Sequence, residues 1–218
     1  MNKNQKIGVY YFKIREQHRN YLDNFLEILP LFLKRRILRF YFLDDQMRSV
    51  VGKLILRKMM ITNGYQTDIL NEYKLDKFNR PYFDNNVDFN ITHSGDYVIC
   101  AISNDSKIGV DIEKIYPSIN VDDYEFLFHD NEKHIIKDQT IKNIFFSYWT
   151  KKEAVSKAIG KGLGVPFCDI QICDDVAIFK EKHWNLMSVI SNKKYCSCIA
   201  YMGEKNIEIR ELFISDLI

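Results

Sequence analysis

The segment Asp88–Ile115, DFNITHSGDYVICAISNDSKIGVDIEKI, sets the tightest limits on how this chain can fold. It breaks at Ser94-Gly95-Asp96 and again at Asn104-Asp105-Ser106, two clusters of turn-forming residues. Three successive strands are therefore expected. The middle one, YVICAIS, is apolar on both faces and so must be central in a sheet. The third, IGVDIEKI, alternates. Ile108, Val110 and Ile112 go to one face, and Gly109, Asp111 and Glu113 to the other. Asp and Glu are poor strand formers, and like charges side by side on one face repel. Something must compensate them.

The rest of the chain supplies helices and further strands. Lys6–Ile14 reads as a first strand. The stretch from Asn20 to Gly64 reads as two or three helices, interrupted at Pro30, capped by Asp44 and Asp45, and ended by Asn63-Gly64. Arg80-Pro81 forces an extended segment. Helical text runs from about Val121 to Ile159, and strands follow at DIQIC, VAIFK, HWNLMSVI, YCSCIAYM and NIEIRELFI. The expected class is α+β, with helices gathered between strands in each half. The boundary falls near Asn104–Ile108, giving halves 1–105 and 106–218.

A chain of 218 residues can bury a sizeable core as one large domain or two halves. Its apolar fraction of 46% and charged fraction of 28% are those of a globular protein. A net charge of +2 argues against a dedicated nucleic-acid binder, although LKRRILR (Leu33–Arg39) offers cations to a local anion. No secretory signal and no membrane span are read, because no apolar run approaches about 18 residues. The cysteines, Cys100, Cys168, Cys173, Cys196 and Cys198, form no C-x-x-C pair and are expected as core thiols in a reducing cytoplasm.

The second informative stretch is FFSYWTKKEAVSKAIGKGLGVPF, Phe145–Phe167. As a helix it places Trp149, Glu153 and Lys157 along one side and leaves no clean polar face. Glu153 then lies at the margin of a buried region, where a carboxylate is usually paired or metal-bound. A plain Glu153–Lys157 ion pair would satisfy it, and a solvated strand face would satisfy Asp111 and Glu113. Taken together, three acids without a His or Cys ligand pattern form an oxygen-rich set suited to Mg²⁺. Such a site anticipates a phosphorylated substrate. Gly160 is placed to end the helix, while GKGLG lacks P-loop spacing. His93 stands at a strand end, either structural or a donor to an anion.

The set FNITHSG, IGVDIEKI and YWTKKEAVSKAIGKGLG resembles the signature of the 4′-phosphopantetheinyl transferases, in their longer Sfp type. The family pattern G-[IV]-D-[IV]-E falls on Gly109–Glu113, and [FW]-[ST]-x-K-E-[AS]-x-x-K falls on Trp149–Lys157. The resemblance implies two similar α+β halves, each a small, mostly antiparallel sheet packed with helices. They would be pseudo-twofold related, with the active site at their interface. It implies transfer of the 4′-phosphopantetheine arm of coenzyme A to a serine of an apo acyl or peptidyl carrier protein, with release of adenosine 3′,5′-bisphosphate. Mg²⁺, replaceable by Mn²⁺, would be held by Asp111, Glu113 and Glu153. Glu153 would also be the general base, and Lys157 would lie at the pyrophosphate. Thr92, His93 and Arg80 would contact coenzyme A, His93 at its 3′-phosphate, with Arg36, Arg48 and Ser49 as further contacts. Leu33 stands where the Sfp type has a lysine, so Lys34 would take over that anion. A cytoplasmic monomer with neither nucleic acid nor membrane as partner is implied. Two other classes share some of these features: another Mg²⁺-dependent enzyme of phosphoryl chemistry, and a carrier-binding module without catalysis.

Overall fold

The computed structural model describes residues 6–136 and 142–218. Strand β1 (Lys6–Lys13) leads through a 3₁₀ turn to α1 (Leu22–Glu27), α2 (Leu31–Ile37) and the long α3 (Leu43–Thr62). Pro30 separates α1 from α2, as its ring and missing N–H require. Gly64, at φ 89°, follows the end of α3. Asp44 and Asp45 are not the cap of α3. Phe42 holds that position, and the two acids lie in the first turn, where they face the positive end of the helix. Asp44 pairs with Arg19, and Asp45 with Arg48.

A short hairpin, β2 (Lys74–Leu75) and β3 (Pro81–Tyr82), precedes β4 (Asp88–Ser94), β5 (Tyr97–Ser103) and β6 (Ile108–Lys114). The three strands expected between Asp88 and Ile115 are present, and every residue of β5 is buried. The first sheet has the order β11-β1-β5-β4, so β5 is internal. The third strand, however, does not join it. β6 begins a second sheet of order β6-β10-β9-β8-β7. Its other members are β7 (Gln171–Cys173), β8 (Val176–Phe179), β9 (Lys182–Met187) and β10 (Tyr195–Tyr201).

The helical text after Val121 resolves into a 3₁₀ segment (Val121–Leu127), α4 (Asp130–Ile136) and α5 (Lys142–Ile159). The part of that expectation covering 137–141 lies outside the described residues. Strand β11 (Asn206–Glu211), the last of the expected strands, returns to the first sheet and pairs parallel to β1. Helix α6 (Ile214–Leu217) then packs on α3, with Leu212 and Leu217 in the core beneath it.

The packing forms layers. Tyr10, Phe12, Phe89, Val98, Cys100 and Ile102 of the first sheet meet α3. The opposite face, including Val9, Ile99 and Ala101, meets Ile108, Val110 and Ile112 of β6 and Ile199 of β10. The far face of the second sheet receives Ala154, Val155 and Ala158 of α5 against Cys198 and Ala200. The alternation in β6 thus sends its isoleucines and valine between the sheets, and Gly109 lies under α5. The result is α+β, with mostly antiparallel sheets packed against helices. Among the described residues no helix is long and apolar enough to cross a membrane. All five cysteines are free. Cys100 and Cys198 are core thiols, but Cys168 and Cys173 are exposed, on a 3₁₀ turn and at the end of a three-residue edge strand.

Candidate active site

Gly109 decides how closely α5 approaches β6. A Cβ there would stand 2.0 Å from the Ala154 carbonyl oxygen and 2.4 Å from the Ala158 nitrogen. The space that the missing side chain of Gly109 leaves beside the acids is taken by the helix backbone. This contact brings the side chains of α5 down onto Asp111.

The two sheets are joined where β4 runs along the free edge of β6. Every second side chain of β4 meets that edge. Ile108 donates its N–H to Asp88 Oδ2 at 2.9 Å, Val110 donates to Asn90 Oδ1 at 3.0 Å, and Lys114 donates to Ser94 Oγ at 3.0 Å. Side chains thus replace the backbone partners of a continuous sheet and satisfy the edge amides. Thr92 Oγ1 donates to Asp111 Oδ1 at 3.1 Å, and Ser94 Oγ donates to Glu113 Oε2 at 3.0 Å. Both acids of β6 are therefore oriented by hydroxyls of β4.

Lys157 completes the cluster. Its ammonium lies 2.6 Å from Asp111 Oδ1, 3.2 Å from Thr92 Oγ1 and 3.4 Å from the Val110 carbonyl. The lysine turns to Asp111 rather than forming the i, i+4 pair with Glu153. Burial disfavours its charge, but Asp111 outweighs that, and the Lys157 pKa is raised. Burial, and then the Asp111 charge, push Glu113 up to about 7, with the Ser94 hydrogen bond opposing them. Glu153 is also raised, by burial first and by Asp111. Three half-buried or buried acids thus share one lysine, a charge balance that is short of cations.

The second oxygen of Asp111, Oδ2, is buried and has no hydrogen-bond partner. An orphaned carboxylate oxygen beside two carboxylates of raised pKa fits an oxygen-binding cation such as Mg²⁺. Among the described residues, no three acids, histidines or cysteines stand in a group ready to hold a metal ion, and the Oδ1 oxygen of Asp111 is taken up by Lys157.

The other expected contacts scatter. His93 points to the opposite face of β4 from Thr92 and is exposed. Loss of solvent around the ring, then the charges of Arg48 and Lys157, lower its pKa. Arg48 reaches the Gly95 carbonyl at 3.1 Å and Asp45 at 2.7 Å, which keeps it beside His93. Ser49 is half-buried on α3 and Arg36 is exposed on α2. Arg36 acts on Lys53, whose pKa burial and then Arg36 lower to about 8. Leu33 is core, and Lys34 pairs with Glu27 instead of standing free for an anion. The Arg80 guanidinium is turned inward, to the Lys157 carbonyl, Asp88 and the Ile108 carbonyl.

Sequence reasoning passed over Asp88, Asn90 and Ser94. Their signal was present as polar residues at every second position of a strand whose other face begins with the apolar Phe89 and Ile91. It also passed over Lys152 as a structural residue. Lys152 is fully buried, 2.7 Å from Glu132, and donates to the Phe167 and Ile170 carbonyls. Glu132 in turn accepts the Ile172 and His129 N–H groups.

Comparison with known proteins bears on the family of the chain. Residues 107–200 match the 4′-phosphopantetheinyl transferase superfamily, and residues 16–105 match the family described as 4′-phosphopantetheinyl transferase, N-terminal. The chain is 29% identical over 225 residues to the 4′-phosphopantetheinyl transferase gsp of Aneurinibacillus migulanus, covering 97% of this chain and 93% of that one. It is 30% identical over 164 residues to the 4′-phosphopantetheinyl transferase Sfp of Bacillus subtilis, covering 73% and 71%. The L-aminoadipate-semialdehyde dehydrogenase-phosphopantetheinyl transferase of Mus musculus is 30% identical over 151 residues, covering 60% and 48%.

Proposed function

The chain belongs to the 4′-phosphopantetheinyl transferase superfamily, in its Sfp type, and we propose that it loads an apo carrier protein from coenzyme A with the help of Mg²⁺. It is an enzyme of the phosphopantetheinyl transferase class, and its acceptor is a carrier protein. The finer reading is that a carrier serine attacks the β-phosphorus of coenzyme A, and adenosine 3′,5′-bisphosphate leaves.

The observation that carries this reading is the cluster of Asp111, Lys157 and Thr92 beside Glu113 and Glu153, with Asp111 Oδ2 left without a partner. Asp111, Glu113 and Glu153 would hold the metal. When bound, Mg²⁺ would neutralise charge on the pyrophosphate oxygens. Lys157 would place its ammonium on the charge that builds on the leaving and bridging oxygens. In the free protein that ammonium is held by Asp111, so it is already aimed into the cluster. Glu153, with a raised pKa, suits the task of taking the serine proton, directly or through water. No nucleophile of the enzyme itself is needed, since the carrier supplies it.

Thr92, His93, Arg48, Ser49 and Arg36 would border coenzyme A. A His93 that is neutral when free would gain a proton and a partner at the 3′-phosphate. We assign the nucleotide contacts to the half 1–105, and the metal and catalytic acids to 106–218, with β11 and α6 returning to the first. Carrier helices are usually acidic, so basic or apolar surface on the second half would receive them. Tyr116 and Phe126 are exposed apolar side chains there. The protein would act as a cytoplasmic monomer.

Loading across a panel of apo-carriers, read as the mass gain of the carrier, tests this reading. Mg²⁺-dependent gain from coenzyme A is the expected result. Cleavage of coenzyme A to water at full rate without a carrier would overturn it.

A further inference from the structure

Arg80 was expected at the nucleotide, yet its side chain is only 13% exposed and its donors face the protein. The loop that presents it is tightly built. Asp76 accepts the N–H groups of Phe78 and Arg80, both at 2.8 Å, and Asn79 takes a positive φ of 62°. From that loop Nη1 donates to the Lys157 carbonyl. Nη2 is shared between Asp88 Oδ2 at 2.9 Å and the Ile108 carbonyl at 3.1 Å.

These partners belong to three elements. Lys157 lies in the last turn of α5, where helix carbonyls have no amide left to pair with. A cation there also meets the negative end of the helix. Asp88 and Ile108 are the first residues of β4 and β6. Gly160, just past α5, would bring a Cβ to 3.2 Å from Arg80 Cδ, so the chain closes over the guanidinium. The planar fork of arginine suits this junction because its donors diverge in one plane.

We propose that Arg80 is a positioning residue of the transfer reaction, tying the last turn of α5 to the starts of β4 and β6 and so holding Lys157 against Asp111. The proposal rests on the transferase reading given above. Lys157 reaches Asp111 and Thr92 only if α5 keeps its depth and rotation on β6, and Gly109 fixes the depth alone. Arg80, bonded to the Lys157 carbonyl in that same last turn, would set the rotation and axial position. A displacement of about 1 Å there would lower the rate by roughly a hundredfold.

The test uses the full-length protein, an apo-carrier, and two donors, coenzyme A and dephospho-coenzyme A. Loading by the unmutated protein must be established first, and failure at that step counts against the transferase reading alone. Arg80→Ala and Asp88→Asn should then each lower kcat by about tenfold or more. In each, the ratio of kcat/KM for the two donors should stay at its unmutated value. The double variant should be little worse than either single one, as expected for residues acting through one junction. A ratio that collapses in Arg80→Ala, through selective loss of coenzyme A, would make Arg80 a 3′-phosphate contact and overturn the proposal. So would an Asp88→Asn enzyme of normal kcat. Should Arg80→Ala not fold by circular dichroism, Arg80→Lys takes its place: lowered kcat at an unchanged ratio supports the proposal, and a changed ratio overturns it.

Discussion

Thr92 and Asp111 lie on strands of different sheets, yet the Thr92 hydroxyl donates to Asp111 Oδ1 at 3.1 Å and accepts from the Lys157 ammonium at 3.2 Å. One small side chain therefore joins the metal-type acid of β6, the cation of α5 and the edge of β4.

Asp111→Ala and Glu153→Ala should each reduce carrier loading by about a hundredfold or more, with the fold retained. Neither change leaves a cavity in an apolar core, because Asp111 lies on the α5-facing side of β6 among polar partners and Glu153 is a half-buried residue of α5 itself. Loading measured beside circular dichroism checks this. Normal turnover in both variants would remove these residues from the site.

Gly109→Ala should destabilise the protein by about 3 kcal/mol or more, since its Cβ would meet backbone rather than a movable side chain. Denaturant unfolding reads the loss. A cost below about 0.5 kcal/mol would mean that α5 does not rest on β6 at that distance.

Lys152→Met should cost about 3–5 kcal/mol, because it leaves Glu132 buried and charged without its partner. Adding Glu132→Gln removes that charge while keeping an acceptor for the Ile172 N–H. The double variant should therefore be more stable than Lys152→Met by urea unfolding. Equal stability would show that the pair is not the source of the loss.

Glu113 links stability to pH. Its pKa rises from 4.5 to about 7 on folding, so the folded state binds the proton more tightly. The resulting stabilisation is complete below pH 4.5 and is lost as pH rises through 7. The melting temperature of metal-free protein should fall over that window, and Glu113→Gln should flatten the fall. Added Mg²⁺ should raise the melting temperature more at pH 8 than at pH 5.5, because the metal needs the ionised carboxylates. A Mg²⁺ effect independent of pH would argue against Glu113 as a ligand.

Local pattern was enough to read much of this protein. The alternation in IGVDIEKI placed Ile108, Val110 and Ile112 in the core and the acids opposite, since a strand's side-chain period is fixed by its backbone. The apolar run of β5 marked an internal strand for the same reason. The helical spacing from Trp149 to Lys157 put Glu153 and Lys157 on the side that meets β6.

Tertiary structure alone decided the pairings. β6 leaves the sheet of β4 and β5 and meets β4 only through side chains, a choice that no strand period encodes. β11 crosses back to β1, so the end of the chain completes the first sheet. Lys157 bonds Asp111, distant in sequence, in preference to Glu153 one turn away, because the contact at Gly109 brings the whole helix within reach. Arg80 turns from an expected ligand contact to the junction of three elements. Sequence periodicity fixes which way a side chain points. What it meets there depends on how separately formed layers are stacked, and that is settled by the burial of the faces they share.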